Sequence, residues 1–237
     1  MTAPRLARIP SGFLVAIEGI DGAGKTTQAT MLAGELASMP VEIVTSKEPT
    51  SGPWGDKIRT SASVGRMSAA DELHAFTEDR REHVANLIRP ALDRGGVVVL
   101  DRYYFSTAAY QGARGIDPAG ILRSQETFAP RPDIIVIVKL DPELAIGRIK
   151  NRGASNEFET LAGLRAVDER FDELGEPYNI ARIDGSRSPL EVHEVLYAAV
   201  MKAYGEKLLR TAASVIADAS VALEDKAAAL GGMLLHA

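Results

Sequence analysis

No cysteine occurs anywhere in the 237 residues. Disulfides and cysteine-ligated metal sites are thereby excluded, and a reducing cytoplasm is the compartment to expect. Long apolar runs are missing too. No stretch approaches the roughly 18 consecutive apolar residues that mark a membrane span, so no membrane partner is expected. Residues 1–11 are mixed in character and carry no apolar core of the signal-peptide kind. The net charge is −5 and there is no long basic run, so nucleic acid is not an expected partner. No internal repeat is present. A guanine reader needs Asn/Thr-Lys-x-Asp; the nearest string, Val138-Lys139-Leu140-Asp141, lacks the first residue, which argues against a GTPase switch.

What is present is an apolar content of 46%, enough for one α/β domain with a full core. Strand-like apolar runs recur at 13–17, 41–45, 97–100, 134–140 and 180–183. Between them lie helical patterns at 26–37, 69–93, 117–128, 142–152, 158–174 and 189–204. Strands alternating with helices predict a parallel sheet covered on both faces, with ligands beyond the carboxyl ends of the strands. The residues after each strand are therefore the ones that carry chemistry.

After the first strand stands Gly19-Ile20-Asp21-Gly22-Ala23-Gly24-Lys25-Thr26, a complete Gly-x-x-x-x-Gly-Lys-[Ser/Thr] loop. Its setting, an apolar strand before and a helical pattern after, is the one the motif requires. Glycines let successive N–H groups turn inward toward phosphate oxygens, and the helix N-terminus adds partial positive charge. Lys25 is expected to reach the β- and γ-phosphates of ATP, and the Thr26 hydroxyl to ligate Mg²⁺. The fold class that follows is α/β, a P-loop three-layer sandwich with five parallel strands. A bare glycine turn needs neither Lys25 nor Thr26.

The run Val97-Val98-Val99-Leu100 reads as a central buried strand and ends in Asp101-Arg102-Tyr103. A carboxylate there, close to the glycine loop, can hold Mg²⁺ directly or through water. Arg102 can fork two phosphate oxygens. The bland alternative is a local ion pair.

The string from Asp101 to Gly112, Asp-Arg-Tyr-Tyr-Phe-Ser-Thr-Ala-Ala-Tyr-Gln-Gly, resembles the strand-end signature of thymidylate kinases. The loop Glu18–Gln28, the triplet Lys47-Glu48-Pro49 and the pair Phe76-x-x-x-Arg80 are similar to further motifs of that family, in the family's order, over about residues 12–204. The resemblance implies transfer of the γ-phosphoryl group of ATP to dTMP, a Mg²⁺ requirement and a homodimer. It implies ATP contacts from Gly19 through Thr26, metal contacts from Thr26 and Asp101, and a phosphate-bridging role for Arg102. For dTMP it implies Asp21 at the 3′-hydroxyl, Phe76 stacked on the base, Arg80 at the base carbonyl, Tyr110 beneath the sugar, Arg59 at the phosphate, and further contacts from Glu48, Ser106, Thr107 and Gln111. Phe76 and Arg80 share one helix face by spacing alone; otherwise Phe76 is core and Arg80 pairs with Glu72 or Glu78.

The chain also departs from the family pattern. The loop positions Asp21, Gly22 and Ala23 carry no arginine, so the missing cation is expected in a lid at about 148–159, where Arg152 is the candidate and Arg148 the helical support. Glu157 stands where the lid's arginine is usual, and Thr50–Gly55 replaces a common Gly-Gly-Thr. Residues 1–11 read as a lead, 12–204 as the kinase domain, and 205–237 as an Ala-rich helical extension without evident chemistry. The rivals are a deoxynucleoside kinase with Glu48 as base, another nucleoside monophosphate kinase, and a catalytically weak nucleotide-binding protein.

Overall fold

The computed structural model describes residues 8–151, 160–218 and 223–233. Five strands, β1 (Phe13–Glu18), β2 (Ile43–Lys47), β3 (Val97–Asp101), β4 (Ile134–Lys139) and β5 (Ile180–Asp184), form one parallel sheet in the order β2–β3–β1–β4–β5. Every residue of β1 and β3 is buried, as unbroken apolar and β-branched runs at the centre of a covered sheet should be. The edge strands β2 and β5 are only half buried, and β2 begins at Ile43 rather than at Val41. Two carboxylates, Glu18 and Asp101, end the two central strands and are buried with them.

Helices cover both faces: α1 (Lys25–Leu36), α2 (Pro53–Val64), α3 (Ala69–His83), α4 (Arg89–Asp93), α5 (Tyr104–Gly112), α6 (Pro118–Glu126), α7 (Pro142–Asn151), α8 (Leu161–Asp172), α9 (Pro189–Ala217) and α10 (Leu223–Met233). α1 packs on α9, while α5 packs on α6 and α8. Side chains cap the starts of several of them: Ser68 on α3, Asp117 on α6, Thr160 on α8, and Ser188 with Glu191 as a capping box on α9.

Three differences from the sequence expectation have physical causes. The stretch 69–93 is not one α-helix. Pro90 has no N–H to give residue 86, and the Arg89 amide instead reaches the Val84 carbonyl, so Val84–Ile88 is a π-turn between α3 and α4. α2 and α5 were absent from the expected helices. α5 is buried on almost every side and so has no amphipathic stripe to betray it. α2 opens Pro-Trp-Gly, and its proline at the first helical position was its overlooked start signal. Finally, the helix expected at 189–204 is longer: α9 runs unbroken to Ala217, since residues 205–217 are mostly good helix formers with no proline.

The Thr50–Gly55 segment that departs from the family pattern is a tight wrap into α2. A Cβ added at Gly55 would lie 1.9 Å from the Thr50 carbonyl oxygen. Gly55→Ala is therefore expected to destabilise the fold by about 1–3 kcal/mol through forced backbone movement. A chemical-denaturation midpoint equal to that of the native chain would contradict this packing.

Candidate active site

The glycine loop joins β1 to α1. Gly19, Gly22 and Gly24 all take positive φ (137°, 84° and 100°). At Gly19 and Gly22 a Cβ would also meet the carbonyl oxygens of Val138 and Ala145, at 2.5 and 2.8 Å. Glycine is thus required twice over, by conformation and by space. Gly24 is the N-cap of α1 and offers no capping side chain, so the helix's first amides have no side-chain acceptor there. Ile20 and Ala23 are buried beneath the loop.

Lys25 is buried and turns back over the loop, its Nζ donating to the Ile20 carbonyl at 2.8 Å. Burial, with Arg102 adding to it, pushes its pKa down to about 8 against the opposing pull of Asp21, Asp101 and Glu18. The Thr26 hydroxyl donates to Asp101 Oδ2 at 2.5 Å, while Asp101 Oδ1 is buried without a partner. A concavity of about 100 Å³ over the loop is lined by Gly22, Lys25, Thr26, Asp101, Asp21 and Arg102.

Arg102 is the only non-glycine residue with positive φ among the described residues, at 73°. Its Nη2 forms a very short contact with Asp21 Oδ1, its Nη1 lies 3.3 Å from Ser106 Oγ, and its guanidinium sits 5.3 Å from the centre of the Tyr110 ring. Tyr110 donates its phenolic proton to Asp21 Oδ2 at 2.8 Å and accepts the Asp21 amide at 3.1 Å. Burial acts to raise the Asp21 pKa, but Arg102 and Lys25 outweigh it and hold the carboxyl at about 2.

Beside this cluster lies a second cavity of about 250 Å³ whose walls include Phe76, Arg80, Ser106, Thr107, Tyr110 and Gln111. Glu48 and Arg59 also line it, and Asp21 and Arg102 line both cavities. A larger open groove, about 650 Å³, reaches Thr26 and Asp101 from the side of Ala33 and Leu87, and no arginine among the described residues lines it.

Several sequence expectations need correction. Arg80 does not pair with Glu72 or Glu78 on the surface. It is 1% exposed; Nε and Nη2 reach Glu48 Oε2 at 2.8 and 2.5 Å, Nη1 reaches Gln125 at 2.8 Å, and Nη2 reaches Thr107 at 2.9 Å. Four of its five donors are thus engaged, leaving one N–H on Nη1. Glu48 does not offer a free carboxylate to metal or sugar, since its other oxygen contacts His83 Nδ1 at 3.0 Å. It is the buried counter-charge that orients Arg80. The Ser106 hydroxyl proton is directed at Glu18 rather than into the cavity. Gln111 gives its amide to Glu72 at 2.7 Å and keeps a buried Oε1 without a partner. Arg59 is held by the Pro49 carbonyl at 3.2 Å and Asp56 at 2.6 Å at the cavity's open end.

Sequence reasoning missed Arg66, Glu72 and Ile58, which also line the cavity. Glu72 is buried and draws in Arg66, Arg114 and Gln111. The available signal was charge: Arg59 and Arg66 stand on either side of Val64, the last residue of α2, and both line the cavity. The expected lid residues Arg152 and Glu157 lie outside the described residues; Arg148 and Lys150 sit in the last turn of α7.

A family profile described as thymidylate kinase matches residues 17–196. The thymidylate kinase of Xanthomonas campestris pv. campestris (strain B100) is 47% identical over 200 residues, covering 84% of this chain and 87% of the relative. The thymidylate kinase of Xylella fastidiosa (strain M12) is 49% identical over 170 residues, covering 71% of this chain and 78% of its own. That of Xanthomonas oryzae pv. oryzae (strain PXO99A) is 45% identical over 200 residues, with 84% and 87% covered.

Proposed function

The chain belongs to the thymidylate kinase family, and from that premise we propose how its own residues carry the ATP-dependent phosphorylation of dTMP to dTDP. The observation that carries the reading is the sharing of Asp21 and Arg102 by two adjacent cavities, one over the glycine loop and one walled by Phe76, Arg80 and Tyr110. A donor triphosphate and an acceptor monophosphate then meet at Arg102.

The acceptor phosphate has a second pKa of about 6 and is mostly dianionic at pH 7. It needs no protein base. The obstacle is repulsion between two anions, overcome by positive groups and by positioning. The loop amides from Gly19 to Thr26 hold the donor phosphates, and Lys25 swings from the Ile20 carbonyl to their oxygens. Arg102 exchanges part of its contact with Asp21 for donor and acceptor oxygens, and Arg59 holds the acceptor's outer side. The buried, unpartnered Asp101 Oδ1 beside the Thr26 hydroxyl fits a Mg²⁺ ion held largely by nucleotide phosphates, the usual mode for that ion. Thr26 and Asp101 would hold such an ion, which would supply neutralisation of phosphate charge.

On the acceptor side Phe76 stacks on thymine, a contact worth about 1–3 kcal/mol in nucleic-acid sites. The remaining Nη1 donor of Arg80 meets the base carbonyl, with Thr107 and Gln111 at the base edge. Asp21 accepts from the 3′-hydroxyl, and Tyr110 closes the space a 2′-hydroxyl would need. The lid cation is assigned to Arg152, giving a lid-arginine enzyme. A homodimer, a cytoplasmic setting and a catalytic unit of residues 12–204 followed by a helical extension complete the reading, on family grounds. A deoxynucleoside kinase would need a free carboxylate to deprotonate a sugar hydroxyl. Glu48, the candidate, has both oxygens engaged by Arg80 and His83.

The test is ADP release from Mg-ATP with dTMP, dUMP, UMP, CMP and thymidine in parallel. Turnover is expected with dTMP first, dUMP behind it, and little with the ribonucleotides. In Tyr110→Ala the preference for dTMP over UMP should fall by about tenfold or more, the scale of one lost steric contact. Undiminished discrimination in that variant would remove the sugar-sensing role.

A further inference from the structure

Glu18, the last residue of β1, is a fully buried carboxylate with no place in the mechanism above. It lies between the two chemical motifs: immediately before the glycine loop in the chain, and against the turn that carries Arg102 in space. Its Oε1 accepts the Tyr103 amide at 2.9 Å and the Ser106 amide at 3.4 Å, and its Oε2 takes the Ser106 hydroxyl in a very short contact. The Tyr103 side chain makes no capping bond to α5, so Glu18 is the acceptor that caps this helix from a neighbouring strand.

The position of these bonds matters. Arg102 sits at φ 73°, a conformation disfavoured for a residue with a Cβ. Such a residue stays there only when its surroundings over-determine it. Here β1 grips the turn twice: the Arg102 amide donates to the Ile17 carbonyl at 3.0 Å, and the next amide, Tyr103, donates to Glu18. Ser106 adds a third grip. Its hydroxyl gives its proton to Glu18 and turns a lone pair toward Arg102 Nη1 at 3.3 Å.

We propose that Glu18 is a positioning residue for phosphoryl transfer, holding Arg102 in its strained, phosphate-facing pose through the Tyr103 amide and a Ser106 relay. The proposal rests on the reading of Arg102 as the bridge between donor and acceptor phosphates. A glutamate suits the task because, once ionised, it accepts from all three donors and donates to none; burial raises its pKa to about 7, so the grip is complete above neutral pH. A glutamine of the same shape turns one acceptor into an NH₂ group facing N–H and O–H donors.

The experiment compares native enzyme, Glu18→Gln, Ser106→Ala and the double variant in the same Mg-ATP/dTMP assay, with thermal unfolding as the control for folding. Glu18→Gln should lower kcat by about 10-fold to 100-fold, the scale of a mispositioned catalytic group, while KM for ATP stays within about twofold because the glycine loop is untouched. Ser106→Ala should lower kcat in the same way, and the double variant should lose no more than the worse single, since both cut one relay. A folded Glu18→Gln with native kcat overturns the proposal and leaves Glu18 a cap of α5 alone. If Glu18→Gln fails to fold, Ser106→Ala decides: native kcat there overturns the relay. Native enzyme without dTMP-dependent ADP release would fail the functional reading instead. The inference is then judged on a crystal structure of Glu18→Gln, or of Ser106→Ala if that variant does not fold, in which Arg102 is expected to leave its positive φ or its contact with Asp21. An unmoved Arg102 overturns it.

Discussion

Arg102→Ala and Arg102→Gly are both expected to lose phosphoryl transfer by about 10³-fold or more in kcat/KM, the range in which cationic bridges of this kind operate, yet to differ from each other in stability. The loss follows from place: among the described residues, Arg102 is the one arginine that lines both the loop cavity and the base cavity. The difference follows from backbone. At φ 73° alanine keeps the Cβ penalty and glycine does not, so the glycine variant should be more stable than the alanine variant by about 1 kcal/mol. Both lose the same guanidinium and the same pairing with Asp21, so that difference isolates the strain. Parallel denaturation and steady-state kinetics check it. Equal stabilities would contradict the strained pose, and activity within tenfold of native would contradict the bridge.

Lys25→Ala should lower kcat by about 10²–10³-fold, the usual cost of removing one group aimed at transition-state charge. It should do so without unfolding the chain, because among the described residues its one side-chain hydrogen bond is to the Ile20 carbonyl. A pH signature accompanies it. The folded pKa of Lys25 is lowered to about 8, below its ordinary value near 10.5, chiefly by burial. Between those two values the unfolded chain holds more protons than the folded one, so stability of the nucleotide-free protein should rise with pH across that window. The rise should be missing in Lys25→Ala. A stability curve between pH 8 and 10.5 that is identical in the two proteins would show that Lys25 is not the buried cation described here.

The fold was legible wherever a segment's environment is uniform or strictly periodic. Val97–Leu100 and Phe13–Ile17 are buried from end to end and read as central strands; the amphipathic stretches 142–152 and 158–174 read as helices that the structure bounds at Pro142–Asn151 and Leu161–Asp172. α5 was hidden because Tyr104, Phe105, Ala108 and Ala109 are buried on all sides, which removes the stripe that periodicity detects. The π-turn was hidden because it answers a single missing amide at Pro90.

At the site, Lys25, Thr26, Asp101 and Arg102 are local to two strand ends, and motif spacing brings them together. The fate of Glu48 and Arg80 was not legible. They are 32 residues apart, and only the packing of α3 against β2 and α5 makes them a buried pair with His83, Gln125 and Thr107 as its satellites. Spacing on one helix spoke for Phe76 and Arg80 sharing a face, but said nothing about what Arg80 would meet across it. Glu18 was visible only as part of a loop motif; that it grips the Arg102 turn is a fact of register, with Ile17 opposite Asp101.

The central claim is a phosphate-to-phosphate transfer in a site shared by two nucleotides. The most direct measurement places equal amounts of dTMP and thymidine in one reaction with Mg-ATP labelled at the γ-phosphorus, and follows where the label goes. The account predicts label in dTDP, at its β-phosphorus, and none in newly made dTMP. Label appearing first in dTMP, with thymidine consumed, would contradict it.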